Sequence, residues 1–180
     1  LHVAPFIDID GVEEGDQGKG RSPHDHNRDY IDKPVYKATA AWMEYARKKT
    51  PEIFIDFHCP WKWGDEYDIS SQRNNHPFFT KRLSPIKEEL EKLEANLSGI
   101  NQNNPDSHKV IFDPQYDISI GDDWFCKGVP TSSEFFEKLG CRISATLEYP
   151  YFGTEKMTVT QQNSRNFGHD LAKALEKYIL

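Results

Sequence analysis

Leu83, Ile86, Leu90, Leu93 and Leu97 recur at spacings of three and four. That period puts all five on one stripe of an α-helix, which Ser84-Pro85 would open as N-cap and first-turn proline. A striped helix must bury its apolar side against another layer. Two β-rich runs can supply it: "EIFIDF" (52–57), before the break at Pro60, and "CRISATLE" (141–148). Three more helices are expected. One runs from Pro34 to Pro51, with Val35, Thr39, Trp42 and Ala46 on one face. Another covers "TSSEFFEKLG", closed by Gly140, and the last covers "TVTQQNSRNFGHDLAKALEKYIL", with Phe167, Leu171, Leu175 and Tyr178 facing inward. Strands alternating with helices predict an α/β fold, a sheet with helices on both faces.

The remaining segments read as connections. "LHVAPFIDID" reads as a strand in mid-domain, and the glycine-rich stretch after it as a long irregular loop to about residue 30. A polar, aromatic loop runs to about residue 80, and "KVIF" (109–112) is a short strand or extended piece. A length of 180 residues fits one domain. The net charge of −7 offers no general attraction for nucleic acid. No apolar run approaches the ~20 residues of a membrane helix. Cys59, Cys126 and Cys141 form no CxxC, which argues against a disulfide framework or a cysteine zinc site and suits a reducing, cytoplasmic compartment.

Ligands of open α/β sheets bind outside the carboxyl ends of the strands. Three polar groups lie there: the 8–30 loop, His58 and Glu148. His58 ends "FIDFH", with Asp56 on the same face. That pairing suits a metal-binding imidazole steadied by a carboxylate, although by spacing alone a lone histidine at a sheet rim is the commoner case. Glu148 ends "SATLE", as a general base or as an ordinary solvated glutamate. Within "SPHDHNRDY" (22–30), Asn27 and Arg28 offer planar groups that suit a carboxylate. A surface ion pair is the plainer reading of Arg28, as a turn former is of Asp25. The acidic Glu13, Glu14 and Asp16 lack the spacing of a calcium loop. "GVEEGDQGKGR" matches neither the Walker pattern nor GxGxxG.

In order along the chain, "DIDGVEEGDQGKGR…DHNRDY", a strand ending in "DFH" and a strand ending in "TLEYPY" resemble the zinc carboxypeptidase family, in particular its cytosolic carboxypeptidase-like branch. The resemblance spans nearly the whole chain. It implies a three-layer α/β/α sandwich with a mixed, mostly parallel sheet, of which residues 1–180 are the C-terminal portion. It implies zinc as cofactor, with His58 as one ligand. Glu148 would be the general base, Arg21 would hold the oxyanion, and Asn27 and Arg28 would grip the substrate's free carboxylate. Asp25 would brace another zinc histidine. The substrate would be a peptide or an acyl-amino acid with a free carboxylate, with neither nucleic acid nor membrane as a partner.

Three features depart from that pattern. The family's His-x-x-Glu is missing, because the seven histidines are followed at the third position by Pro5, Asn27, Asp29, Trp61, Phe79, Ile111 and Ala172. The turn reads Asp8-Ile9-Asp10-Gly11 rather than Asn-Pro-Asp-Gly. "DDWFCKGVPTS" offers Trp124 and Phe125 where the family has a mobile tyrosine. The expected activity is hydrolysis of a C-terminal peptide or related amide bond by metal-activated water. The alternatives are a carboxylate-binding module without catalysis and a small-molecule amidoacid hydrolase on the same scaffold.

Overall fold

Ile143, Ala145 and Leu147 alternate with Ser144, Thr146 and Glu148, and all six are buried. A strand buried on both faces is central, and β4 (Ile143–Glu148) is central in the computed structural model. The structure describes residues 1–16, 18, 20–59, 76–107, 110–122, 125–150, 153–154 and 157–180. Among them, β4 pairs in parallel with β1 (Ile53–His58) and antiparallel with β2 (Phe78–Lys81). β2 pairs in parallel with β3 (Ile118–Ser119), so the order across the sheet is β1-β4-β2-β3. The fold is a mixed α/β sheet with helices. A separate hairpin joins β5 (Gly153–Thr154) to β6 (Met157–Thr158).

The alternation on β4 decides what packs where. Ile143, Ala145 and Leu147 join Leu90, Leu93 and Leu97 of α3 (Ile86–Gln102), and Phe167, Leu171 and Ala174 of α5 (Gln161–Ile179), in the largest core. Fully burying an aliphatic side chain of this size stabilises by about 1.5–3 kcal/mol. On the opposite face Ser144 Oγ donates to the Ser133 carbonyl of α4 (Ser132–Lys138) at 2.7 Å. There Phe135 and Phe136 of α4 pack with Met43 and Ala46 of α2 (Lys37–Lys49), and Phe54 of β1 stacks on Phe136. The α5 entry is a reciprocal cap. Thr160 Oγ1 accepts from the Asn163 N–H, and Asn163 Oδ1 accepts from the Thr160 N–H.

Several sequence expectations change. The 8–30 stretch is not wholly irregular, since Ile9–Glu14 form the short helix α1 with Asp8 as its cap. No strand forms over "LHVAPFIDID", where Leu1, Val3 and Phe6 are exposed. α2 starts at Lys37 rather than Pro34, because buried Asp29 accepts the N–H groups of Val35 and Tyr36. α3 starts at Ile86, with Pro85 itself as the cap and Leu83 half exposed ahead of it. Val110, Ile111 and Phe112 form no strand, although Val110 and Phe112 are core residues. β2 lies where loop was expected to residue 80; most of that loop, and Trp124, lie outside the described residues. No described helix is long and apolar enough to cross a membrane.

The core also encloses charge. Lys81 Nζ lies 2.8 Å from Glu94 Oε2 and 3.1 Å from Asp117 Oδ2, with Glu91 farther off at 3.9 Å. One ammonium cannot neutralise two buried carboxylates. Burial pushes the Glu94 carboxyl from 4.5 up to about 8; the Asp117 carboxylate adds to the rise and Lys81 opposes it. The folded protein therefore holds this proton more tightly than the unfolded chain. Stability should fall as pH rises from about 4.5 to about 8. Thermal unfolding at the two ends of that window is expected to show a smaller drop in Glu94→Gln than in the parent. An unchanged drop would place the proton elsewhere.

Candidate active site

The parallel register of β1 and β4 ends on His58 opposite Glu148. Each is the last residue of its strand, so an imidazole and a carboxylate sit side by side at the carboxyl edge of the sheet. Glu148 is only 5% exposed. The Tyr149 N–H donates to the His58 carbonyl at 2.8 Å, which carries the alignment one residue past the strands.

Two further elements reach this corner. The single 3₁₀ turn His26–Arg28 brings Asn27 Nδ2 to 3.4 Å from His58 Nε2. The start of α4 brings Ser132, which is fully buried. Its N–H donates to Asn27 Oδ1 at 2.8 Å, and its hydroxyl donates to Asp56 Oδ2. The same Asp56 oxygen lies 3.0 Å from His58 Nε2. Burial drives the Asp56 carboxyl up, but His58 and the two hydrogen bonds outweigh it and hold it below the usual carboxylate range.

Arg28 follows on the same turn. It is partly buried, its Nη1 donates to the Asn27 carbonyl at 3.1 Å, and it makes no ion pair among the described residues. Asp25 precedes the turn, and its carbonyl accepts the Arg28 N–H at 2.9 Å. Arg21 is placed differently. Its Nε and Nη2 donate to the two oxygens of Asp8 at 3.0 and 3.2 Å, and Asp16 and Glu14 lie at 3.2 and 3.6 Å. The hydrogen bond to Asp8 pushes the guanidinium above its ordinary value. Asp8 Oδ2, the oxygen that accepts Arg21 Nε, also lies 3.3 Å from His26 Nδ1, and the His26 ring stacks on Tyr36 at 3.8 Å. Asp8 thus ties the Arg21 cluster to the turn that carries Asn27 and Arg28. His24 serves the same scaffold through Asp29, at 2.8 Å.

Gly11 permits the Asp8–Arg21 pair. A Cβ on it would lie 2.5 Å from Asp8 Oδ2 and 2.7 Å from Arg21 Nη2. In most helix interiors glycine to alanine is stabilising. Here Gly11→Ala is expected to destabilise by about 1–3 kcal/mol, the usual cost of overpacking. Urea unfolding checks the sign, and a gain in stability would mean that the pair can move aside.

Among the described residues no three His, Cys, Asp or Glu side chains converge to hold a metal ion. A catalytic zinc takes three protein ligands, so the donors here, with His58 Nε2 engaged by Asp56, do not form a zinc site by themselves. A cavity of about 340 Å³ lies apart from the six candidate residues, among Arg82, Ile120, Lys127, Glu134, Glu137 and Lys138. Arg82 pairs with Glu137 and Lys138 with Glu134, so most of its charge is already matched. The corner at the strand ends instead joins Asn27, Asp56, His58 and Ser132 through hydrogen bonds. The structure brings Asn27, Asp56 and His58 together with Ser132, which the sequence shows only as part of a capped helix, and sets Glu148 in register with His58. No protein-family model matches this chain, and no curated protein matches it either.

Proposed function

We propose that the chain is the later portion of a zinc metallocarboxypeptidase-like hydrolase, folded as a three-layer α/β/α sandwich and working in the cytoplasm. The observation that carries the reading is the register of His58 with Glu148, with Asn27 and Arg28 brought to the same corner. Zinc, with its remaining ligands outside this chain, would supply an activated water and polarise the scissile carbonyl. The chain's own residues do the rest. Glu148 accepts the water's proton and returns it to the leaving nitrogen. Arg28, with no acid paired to it among the described residues, reads the free carboxylate of a peptide or acyl-amino acid. Asn27, whose Nδ2 lies 3.4 Å from His58 Nε2, assists with its amide N–H groups. Arg21 is engaged by Asp8, so its part in holding an oxyanion requires that pair to loosen when substrate binds.

A second reading keeps the carboxylate recognition and drops catalysis; the partly buried Arg28, which meets no acid among the described residues, supports it equally. One experiment separates the two. The protein, supplied with zinc, is mixed with an N-acetylated dipeptide and with its C-terminal amide; binding is followed by calorimetry and products by chromatography. Cleavage of the free acid supports the hydrolase, and binding of the acid without cleavage supports the module. Equal behaviour toward acid and amide would sink both.

A further inference from the structure

Four polar side chains from three separate elements close into a ring at the strand ends. His58 Nε2 lies 3.0 Å from Asp56 Oδ2, and that oxygen also accepts the Ser132 hydroxyl. The Ser132 N–H donates to Asn27 Oδ1 at 2.8 Å, and Asn27 Nδ2 returns to His58 Nε2 at 3.4 Å. We propose that Ser132 and Asp56 are a positioning pair, which fixes the proton of the His58 imidazole and the direction of the Asn27 amide together.

The contacts at Asn27 and at His58 Nε2 point to one arrangement. A backbone N–H can only donate, so the atom of Asn27 that meets Ser132 is its oxygen. The Asn27 NH₂ must then face His58, and it can only donate. The Asp56 carboxylate can only accept. His58 Nε2 stands between a donor at 3.4 Å and an acceptor at 3.0 Å. The shorter, charge-assisted contact wins, so Nε2 carries the hydrogen and gives it to Asp56. The Asn27 N–H groups then have no acceptor on that nitrogen. The Ser132 hydroxyl donates to the same Asp56 oxygen and holds the carboxylate in place. One residue at the start of α4 therefore sets a ring proton on β1 and an amide on the 3₁₀ turn.

The use of this geometry in hydrolysis rests on the reading above, but the geometry itself does not. The test is the tautomer of His58, read from its two ring ¹⁵N shifts at about two units above the ordinary imidazole pKa of ~6.5. In the parent protein the hydrogen should be on Nε2. In Asp56→Ala the acceptor is gone while the Asn27 donor remains, so the hydrogen should move to Nδ1. Ser132→Ala should give a mixture of tautomers, and Ser132→Thr, which keeps the hydroxyl, should restore the parent shifts. The proposal is overturned by a parent hydrogen on Nδ1, by Asp56→Ala leaving it on Nε2, or by Ser132→Ala matching the parent. If Asp56→Ala does not fold, the two Ser132 variants decide. Tautomers that shift as stated in a protein that cleaves nothing would keep the pair and reject the hydrolase. Cleavage with unmoved tautomers would do the reverse.

Discussion

Glu148→Gln is expected to bind substrate like the parent and to turn it over about 10²–10⁴-fold more slowly, the usual worth of general acid–base catalysis. The prediction rests on position. Glu148 ends β4, is 5% exposed, and is the register partner of His58. Glutamine keeps its shape and length and loses only the ability to take a proton. A carboxylate on a solvated rim would tolerate the change. A general base cannot, and the nearest described carboxylate, Asp56, is already held by His58 and Ser132. The two measurements are kcat and the binding of the N-acetylated dipeptide. Low kcat with parent-like binding and an unchanged Tm assigns the proton transfer to Glu148. A kcat near the parent's would move the base elsewhere and return Glu148 to an ordinary strand-end glutamate.

The ends of β1 and β4 were legible because their signals are local. Strand period, an apolar run and a polar residue at its end can all be read within six residues. Their pairing was not, since nothing inside "FIDFH" or "SATLE" says that His58 aligns with Glu148. Long-range partners hid other parts too. Ser132 looks like the opening of a capped helix, and its contact with Asp56 lies 76 residues away in sequence. α1 is short and holds two residues of poor or unusual helix chemistry, Asp10 and Gly11. It forms where Asp8 caps it and Arg21 grips Asp8. β2 spans four residues and reads as loop on its own. It becomes a strand between β4 and β3, with the Phe79 N–H donating to Asp117 at 2.7 Å. The stripe of α3 was read correctly from Ile86 onward, because burial of Leu90, Leu93 and Leu97 depends on helical period alone.

Arg28→Ala is expected to lose at least ~30-fold in kcat/KM against a substrate with a free C-terminal carboxylate, and far less against the matching amide. Among the described arginines Arg28 combines partial burial with no acid partner; Arg47 and Arg165 also lack one but are exposed. Arg21 meets three acids, Arg82 two, and Arg142 meets Glu89. Arg28 is partly buried, and among the described residues its guanidinium donates only to the neutral carbonyl of Asn27. A guanidinium drawn partly out of water without a counter-ion is unfavourable in the ligand-free protein, and an incoming carboxylate relieves it. Removing the arginine would leave that carboxylate desolvated and unpaired, which costs roughly 2–5 kcal/mol. The lower figure is the ~30-fold stated above. An exposed ion pair would be worth about 0–1 kcal/mol and would change kcat/KM by a few-fold at most. The amide carries no charge to read, so acid and amide measured on both proteins form a closed cycle. A loss confined to the acid assigns carboxylate recognition to Arg28. An equal loss on both substrates would mean that Arg28 only shapes the turn through Asn27, and the proposed carboxylate recognition would go with it.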